Sequence, residues 1–255
     1  MRNESELRDK RDKPEKSEKS VNPAGTDAER LDPYCLKEGE VEELLSGHPW
    51  RRFVALGDSV VEGLGDAVPG YLDEPWVDRL AGALRQHAGD LVFRNLGRRN
   101  TRAALVRSTQ LDKALAFEPD LALVACGGYD TLVARFDEHR VASEIRAIVG
   151  ALQDRGSTVI TVSMIDSSRS PQLPPAVRER FARRLRALSD ATSVIARDLG
   201  TLHIDLFDHP VGDADNLLSA DGKHANRRGH AIAAAEAVRA VGAHLARPEL
   251  RNGAA

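Results

Sequence analysis

Cysteine, aromatic side chains and long apolar runs are all scarce in this chain of 255 residues. The two cysteines, Cys35 and Cys126, are too few for a disulfide scaffold or a zinc knuckle, and neither belongs to a CxxC pair. Aromatic residues make up only 4%, so a core must be packed from aliphatic side chains and alanine, and the 42% of hydrophobic residues is enough to do so. No apolar run approaches the ~20 residues needed to cross a bilayer as a helix. Met1 to Lys19 are nearly all charged or polar and contain no apolar stretch of a secretory signal, which makes the cytoplasm the expected location. Neither sign of charge dominates. Lys and Arg number 36 against 39 Asp and Glu, a net charge of −3 without the basic excess of a general nucleic-acid binder.

What is present divides in two. Residues 1–47 alternate charges of both signs and offer little to bury, so they read as a disordered, solvated tail. A short helix over Val41–Leu45 is only weakly patterned. The remainder, residues 48–255, reads as one domain. Five short apolar runs stand out in it: Phe53–Leu56, Leu91–Leu96, Leu121–Cys126, Thr158–Met164 and His203–Phe207. Runs this short and apolar on both faces suit parallel strands covered on both sides. Between them lie helical stripes: Val141, Ile145, Ile148, Val149 and Leu152; then Val177, Phe181, Leu185 and Leu188; then Ile232, Val238, Val241 and Leu245. Right-handed crossovers between such strands give an α/β fold, a doubly wound three-layer α/β/α sandwich. Sites in that architecture lie beyond the carboxyl ends of the strands.

Two segments at those ends carry chemistry. After the first strand comes Gly57-Asp58-Ser59-Val60-Val61-Glu62-Gly63. A serine at a strand-to-helix turn can present its hydroxyl, and its N–H, at a helix N-terminus where negative charge is favoured. Taken alone, it reads as an ordinary N-cap. Near the end of the chain comes Asp221-Gly222-Lys223-His224-Ala225-Asn226, followed by Gly229-His230. An Asp three residues before a His can hold one ring nitrogen and leave the other to take a proton from a hydroxyl. Taken alone, this segment reads as an Asx-type turn with a surface histidine. Together, both map to one edge of the sheet.

The two blocks resemble those of the SGNH, or GDSL-type, esterase and lipase superfamily. Trp76-Val77-Asp78-Arg79-Leu80 and Arg135-Phe136-Asp137 match in style, and the resemblance runs from about Arg52 to Leu245. It implies a flavodoxin-like five-stranded parallel sheet. It also implies Ser59 as nucleophile, His224 as general base and Asp221 as the residue that orients it. The implied reaction is cleavage of a small ester or thioester through an acyl-enzyme, with no metal or cofactor. Acyl transfer on the same scaffold and a non-catalytic binding protein are the alternatives.

The middle blocks depart from the family pattern. Asn95-Leu96-Gly97-Arg98-Arg99-Asn100 puts Asn100 where the family has an oxyanion-holding glycine, with Gly97 three residues early. Asparagine tolerates the left-handed backbone region, so the Asn100 N–H can still face the oxyanion. Gly127-Gly128-Tyr129-Asp130 puts Tyr129 in place of an asparagine donor. The oxyanion and substrate contacts expected are therefore Ser59, Asn100 and Tyr129. Arg98 and Arg99, with Arg102 and Arg107 following, form a basic stretch that reads as a solvated face or as a hold on an anionic substrate. His203, Asp205, Asp208 and His209 are metal-capable but show no converging ligand set. Gly57, Gly63 and Gly65 lack the spacing of a dinucleotide loop.

Overall fold

All five apolar runs form strands of a single parallel sheet: β1 (Arg52–Gly57), β2 (Val92–Asn95), β3 (Leu121–Ala125), β4 (Thr158–Ser163) and β5 (Leu202–Asp205), in the order β2-β1-β3-β4-β5. The computed structural model describes residues 27–171, 173–213 and 216–247. Among these, the helices are α1 (Asp27–Leu31), α2 (Glu40–Leu45), α3 (Ser59–Glu62), α4 (Trp76–His87), α5 (Ala103–Ala116), α6 (Gly128–Leu132), α7 (Glu138–Gln153), α8 (Pro175–Leu199) and α9 (Arg227–Leu245). This is the three-layer α/β/α architecture that the alternation of elements implies.

The period-two rule of strands divides the core into two layers. Phe53 and Ala55 of β1, Leu121 and Leu123 of β3, and Ile160 and Val162 of β4 face α4 and α9. Val54, Leu56, Ala122, Val124 and Val159 face α5, α7 and α8. The predicted α7 stripe is buried at all five positions. In α8, Phe181, Leu185 and Leu188 are buried and Val177 is partly exposed. β2 departs from the expectation of two covered faces. It is an edge strand, and Val92 is 49% exposed.

The disordered tail expected over residues 1–47 is not what residues 27–47 form. Its first 26 residues lie outside the described ones. Residues 27–47 contain α1 and α2, with the helix expected at 41–45 falling within α2, and the segment packs against α9. Composition misleads here because ion pairs add to the few apolar side chains, Leu36, Val41, Leu44 and Leu45, that pack on the core. Buried Asp32 binds Arg228 at 2.7 Å and the Tyr71 hydroxyl at 2.8 Å, Glu29 pairs with Arg79, and Glu40 pairs with Arg239. Cys35 is buried as well, packed with Val211, Leu217, Ala231 and Ile232.

The sheet order reverses between β1 and its neighbours β2 and β3, so a crevice opens at their carboxyl ends. No described helix is long and apolar enough to cross a membrane. Replacing Asp32→Ala leaves the Arg228 guanidinium buried without its carboxylate and should lower unfolding free energy by about 3–5 kcal/mol, read by denaturant melts.

Candidate active site

The turn after β1 is shaped by contacts that leave no room for a side chain. A Cβ on Gly57 would sit 2.0 Å from the Ala125 carbonyl oxygen of β3. Gln110 of α5 closes on the same residue from the other side. Its side-chain carbonyl accepts from the Gly57 N–H and its amide donates to the Gly57 carbonyl, each at 2.9 Å. The chain then turns into α3, with Asp58 as N-cap accepting the Val60 N–H. Ser59 is therefore not the cap but the first helical residue, and its hydroxyl is free to point out of the turn.

His224 reaches that hydroxyl from the loop before α9. Its Nε2 lies 2.8 Å from Ser59 Oγ, and its Nδ1 lies 2.5 Å from Asp221 Oδ2. An ionised carboxylate only accepts, so Nδ1 carries the hydrogen and Nε2 is left to accept from the serine. Both sequence readings of Asp221 hold at once. Its Oδ1 closes an Asx-type turn on the N–H groups of Lys223 and His224, while its Oδ2 holds the imidazole. Burial pushes the Asp221 pKa up, but the three hydrogen bonds outweigh it and leave the carboxyl below its ordinary range.

The loop is itself anchored. Ser219 N–H donates to the His224 carbonyl, Asn226 caps α9 through Arg228 and Gly229, and Leu218 bridges to Ala225. His230 accepts from the Trp76 N–H at Nδ1 and donates from Nε2 to the Leu64 carbonyl. Burial lowers its pKa to about 4, so it is neutral and serves as a bolt between α9, α4 and the loop after α3.

Ser59, His224 and Asp221 line one end of a cavity of about 240 Å³. Val162, Met164, Phe181, Leu185 and Leu206 make its far walls apolar. Asn100 and Tyr129 line it as well. Asn100 has φ 59°, the left-handed conformation expected of a residue replacing glycine. Gly97 plays a different part, since a Cβ there would strike the Glu62 N at 2.4 Å, so it lets the loop lie against α3. The Tyr129 N–H donates to Asp58 Oδ2, 3.3 Å away, so it is already engaged.

The basic stretch does not act as one unit. Arg99 reaches the cavity wall, but its guanidinium and N–H are both held by Glu62. Arg98 is exposed and is not among the lining residues. Arg107 pairs with Glu144. The metal-capable group in and after β5 also disperses. His203 bonds Thr161, Ser163 and Ser193, Asp208 pairs with Arg186, and Asp205 caps a turn at Phe207. No group of three metal-capable side chains converges among the described residues.

Sequence reasoning missed Asp58. It is fully buried, and that burial raises its pKa to about 6 against the hydrogen bonds of Val60 and Tyr129, with the nearby Asp130 raising it further. Its place between Gly57 and Ser59, at a turn with no room for water, was the available signal.

A family model described as the GDSL-like lipase/acylhydrolase family matches residues 55–232. No curated protein sequence is significantly similar to the chain. Among solved structures, a lipase/acylhydrolase from Enterococcus faecalis is 20% identical with a TM-score of 0.58, covering 76% of this chain and 96% of the other. The esterase EstA from Pseudoalteromonas sp., inhibited by monoethylphosphonate, is 17% identical with a TM-score of 0.60, covering 77% and 100%. A variant of Axe2, an acetyl-xylooligosaccharide esterase from Geobacillus, is 17% identical with a TM-score of 0.62, covering 78% and 96%. At these identities the likeness speaks for the fold. With the family model running from within β1 into α9, the chain belongs to the GDSL-like lipase/acylhydrolase family.

Proposed function

We propose that the protein is a serine-dependent acyl hydrolase that cleaves small esters or thioesters through an acyl-enzyme. The observation that carries this reading is the hydrogen-bonded chain Asp221–His224–Ser59 at the mouth of an apolar cavity. In the proposed reaction His224 Nε2 takes the Ser59 proton as Oγ attacks the carbonyl, and Asp221 stabilises the imidazolium that forms. The tetrahedral intermediate collapses as His224 returns the proton to the departing alcohol or thiol. Water, activated by the same imidazole, then releases the acid and regenerates Ser59.

Charge on the intermediate would be met by the N–H groups of Ser59 and Asn100. The phenol of Tyr129 stands further from the backbone than the amide donor that the family pattern places there. The apolar walls formed by Val162, Phe181 and Leu185 suit the acyl chain. Transfer to an acceptor other than water would use the same acyl-enzyme.

Ser59→Ala should reduce kcat for short-chain 4-nitrophenyl esters by at least about 10⁴-fold, since the nucleophile and base act as a unit. A fluorophosphonate probe should label Ser59 in the wild type, as read by peptide mapping, and equal rates in the two proteins would remove the hydrolase reading. Tyr129→Asn restores a short amide donor and should raise kcat by about 10²-fold, the lower end of what a single oxyanion donor contributes; a fall in kcat would give the phenol an active part. Leu185→Trp fills the far wall and should cut kcat/KM for octanoyl esters by at least about tenfold while sparing acetyl esters, because overpacking excludes the longer chain.

A further inference from the structure

Beyond Asn100 and Tyr129 a second, open groove of about 820 Å³ begins, and these two residues line both spaces. Three arginines from separate elements border it: Arg102 before α5, Arg135 in the connection after α6, and Arg140 in the first turns of α7. Three carboxylates line the same groove, and Arg102 and Arg140 act electrostatically on one of them, Asp130. Asp130 accepts the Ala103 N–H, Asp137 caps α7 through the Arg140 N–H, and Glu144 faces Arg107 at 2.7 Å. The guanidinium groups of Arg102, Arg135 and Arg140, by contrast, make no ion pair or hydrogen bond among the described residues. Arg135 is also carried on a braced loop. Arg184 of α8 donates to the carbonyls of Thr131, Val133 and Ala134 just before it. Three exposed guanidiniums border one open groove from separate elements without a hydrogen bond or ion pair of their own, so they can converge on a dianion.

We propose that this groove is an anion subsite that receives a phosphate-type dianion carried on the leaving group of the substrate. The proposal rests on the hydrolase reading, because it takes the apolar chamber for the acyl chain and so directs the leaving group outward. It differs from the Arg98 and Arg99 reading in residues and in place: Arg99 is neutralised by Glu62 and Arg98 lies off the cavity.

The test compares 4-methylphenyl butyrate with 4-(phosphonomethyl)phenyl butyrate, which share an acyl group and differ by one dianion on the leaving group. The wild type should favour the phosphonate ester in kcat/KM by about tenfold or more at low salt, as expected for charge-assisted hydrogen bonds. The preference should shrink as ionic strength rises. In the triple variant Arg102→Gln, Arg135→Gln, Arg140→Gln the ratio should collapse to near one; all three positions are exposed, and circular dichroism checks the fold. A third ester, the 4-methylphenyl hemisuccinate, carries its charge on the acyl end and should show no such preference. Equal rates for the first two esters, a ratio that survives in the triple variant, or a preference that follows the acyl-end charge would each overturn the subsite. If the wild type cleaves none of these esters, the hydrolase reading fails. The subsite is then decided by calorimetric titration with phenylphosphonate: binding that is lost in the triple variant upholds anion recognition, and binding that is absent or unchanged overturns it.

Discussion

Ser59 and His224 are 165 residues apart in the chain, and the whole site depends on their hydroxyl and imidazole meeting at 2.8 Å. Neither partner is held there by its own neighbours alone. The serine turn is gripped by Gln110 and by the Ala125 carbonyl, while the histidine loop hangs from Asn226 and His230 at the start of α9. α9 in turn is fastened from outside the sheet by residues 27–47. The Asp32–Arg228 pair lies at its first turn and the Glu40–Arg239 pair further along. A segment that looks like a solvated tail by composition therefore braces the element that follows His224.

Asp58 shows how close packing and electrostatics are set against each other beside the nucleophile. Folding removes its carboxyl from water and raises its pKa from 3.8 to about 6. Its protonated form thus suits the folded chain best. That contribution is complete below a pH of about 3.8 and is lost as pH rises through about 6. At neutral pH the ionised oxygens accept the N–H groups of Val60 and Tyr129, tying the nucleophile turn to the start of α6. The same group that burdens stability aligns the two strand ends between which the reacting carbonyl would sit.

The two middle blocks that depart from the family pattern have different physical outcomes. Asn100 keeps the left-handed backbone of the glycine it replaces, so the path of the loop is preserved. Tyr129 puts a larger, aromatic side chain at a position that lines both the cavity and the neighbouring groove.

Strand number, layer order and the stripes on α7 and α8 were legible in the sequence, because period-two and period-3.6 burial write themselves into residue order. The segments that carry Ser59, Asp221 and His224 stood out too, because a strand-end turn and a three-residue spacing are local features. The exposed edge of β2, the docking of residues 27–47, the capture of Arg99 by Glu62 and the groove bordered by Arg102, Arg135 and Arg140 were decided only by the tertiary structure. Each depends on which charges and surfaces meet across long sequence separations. An ion pair formed between distant elements leaves no periodic trace in the chain.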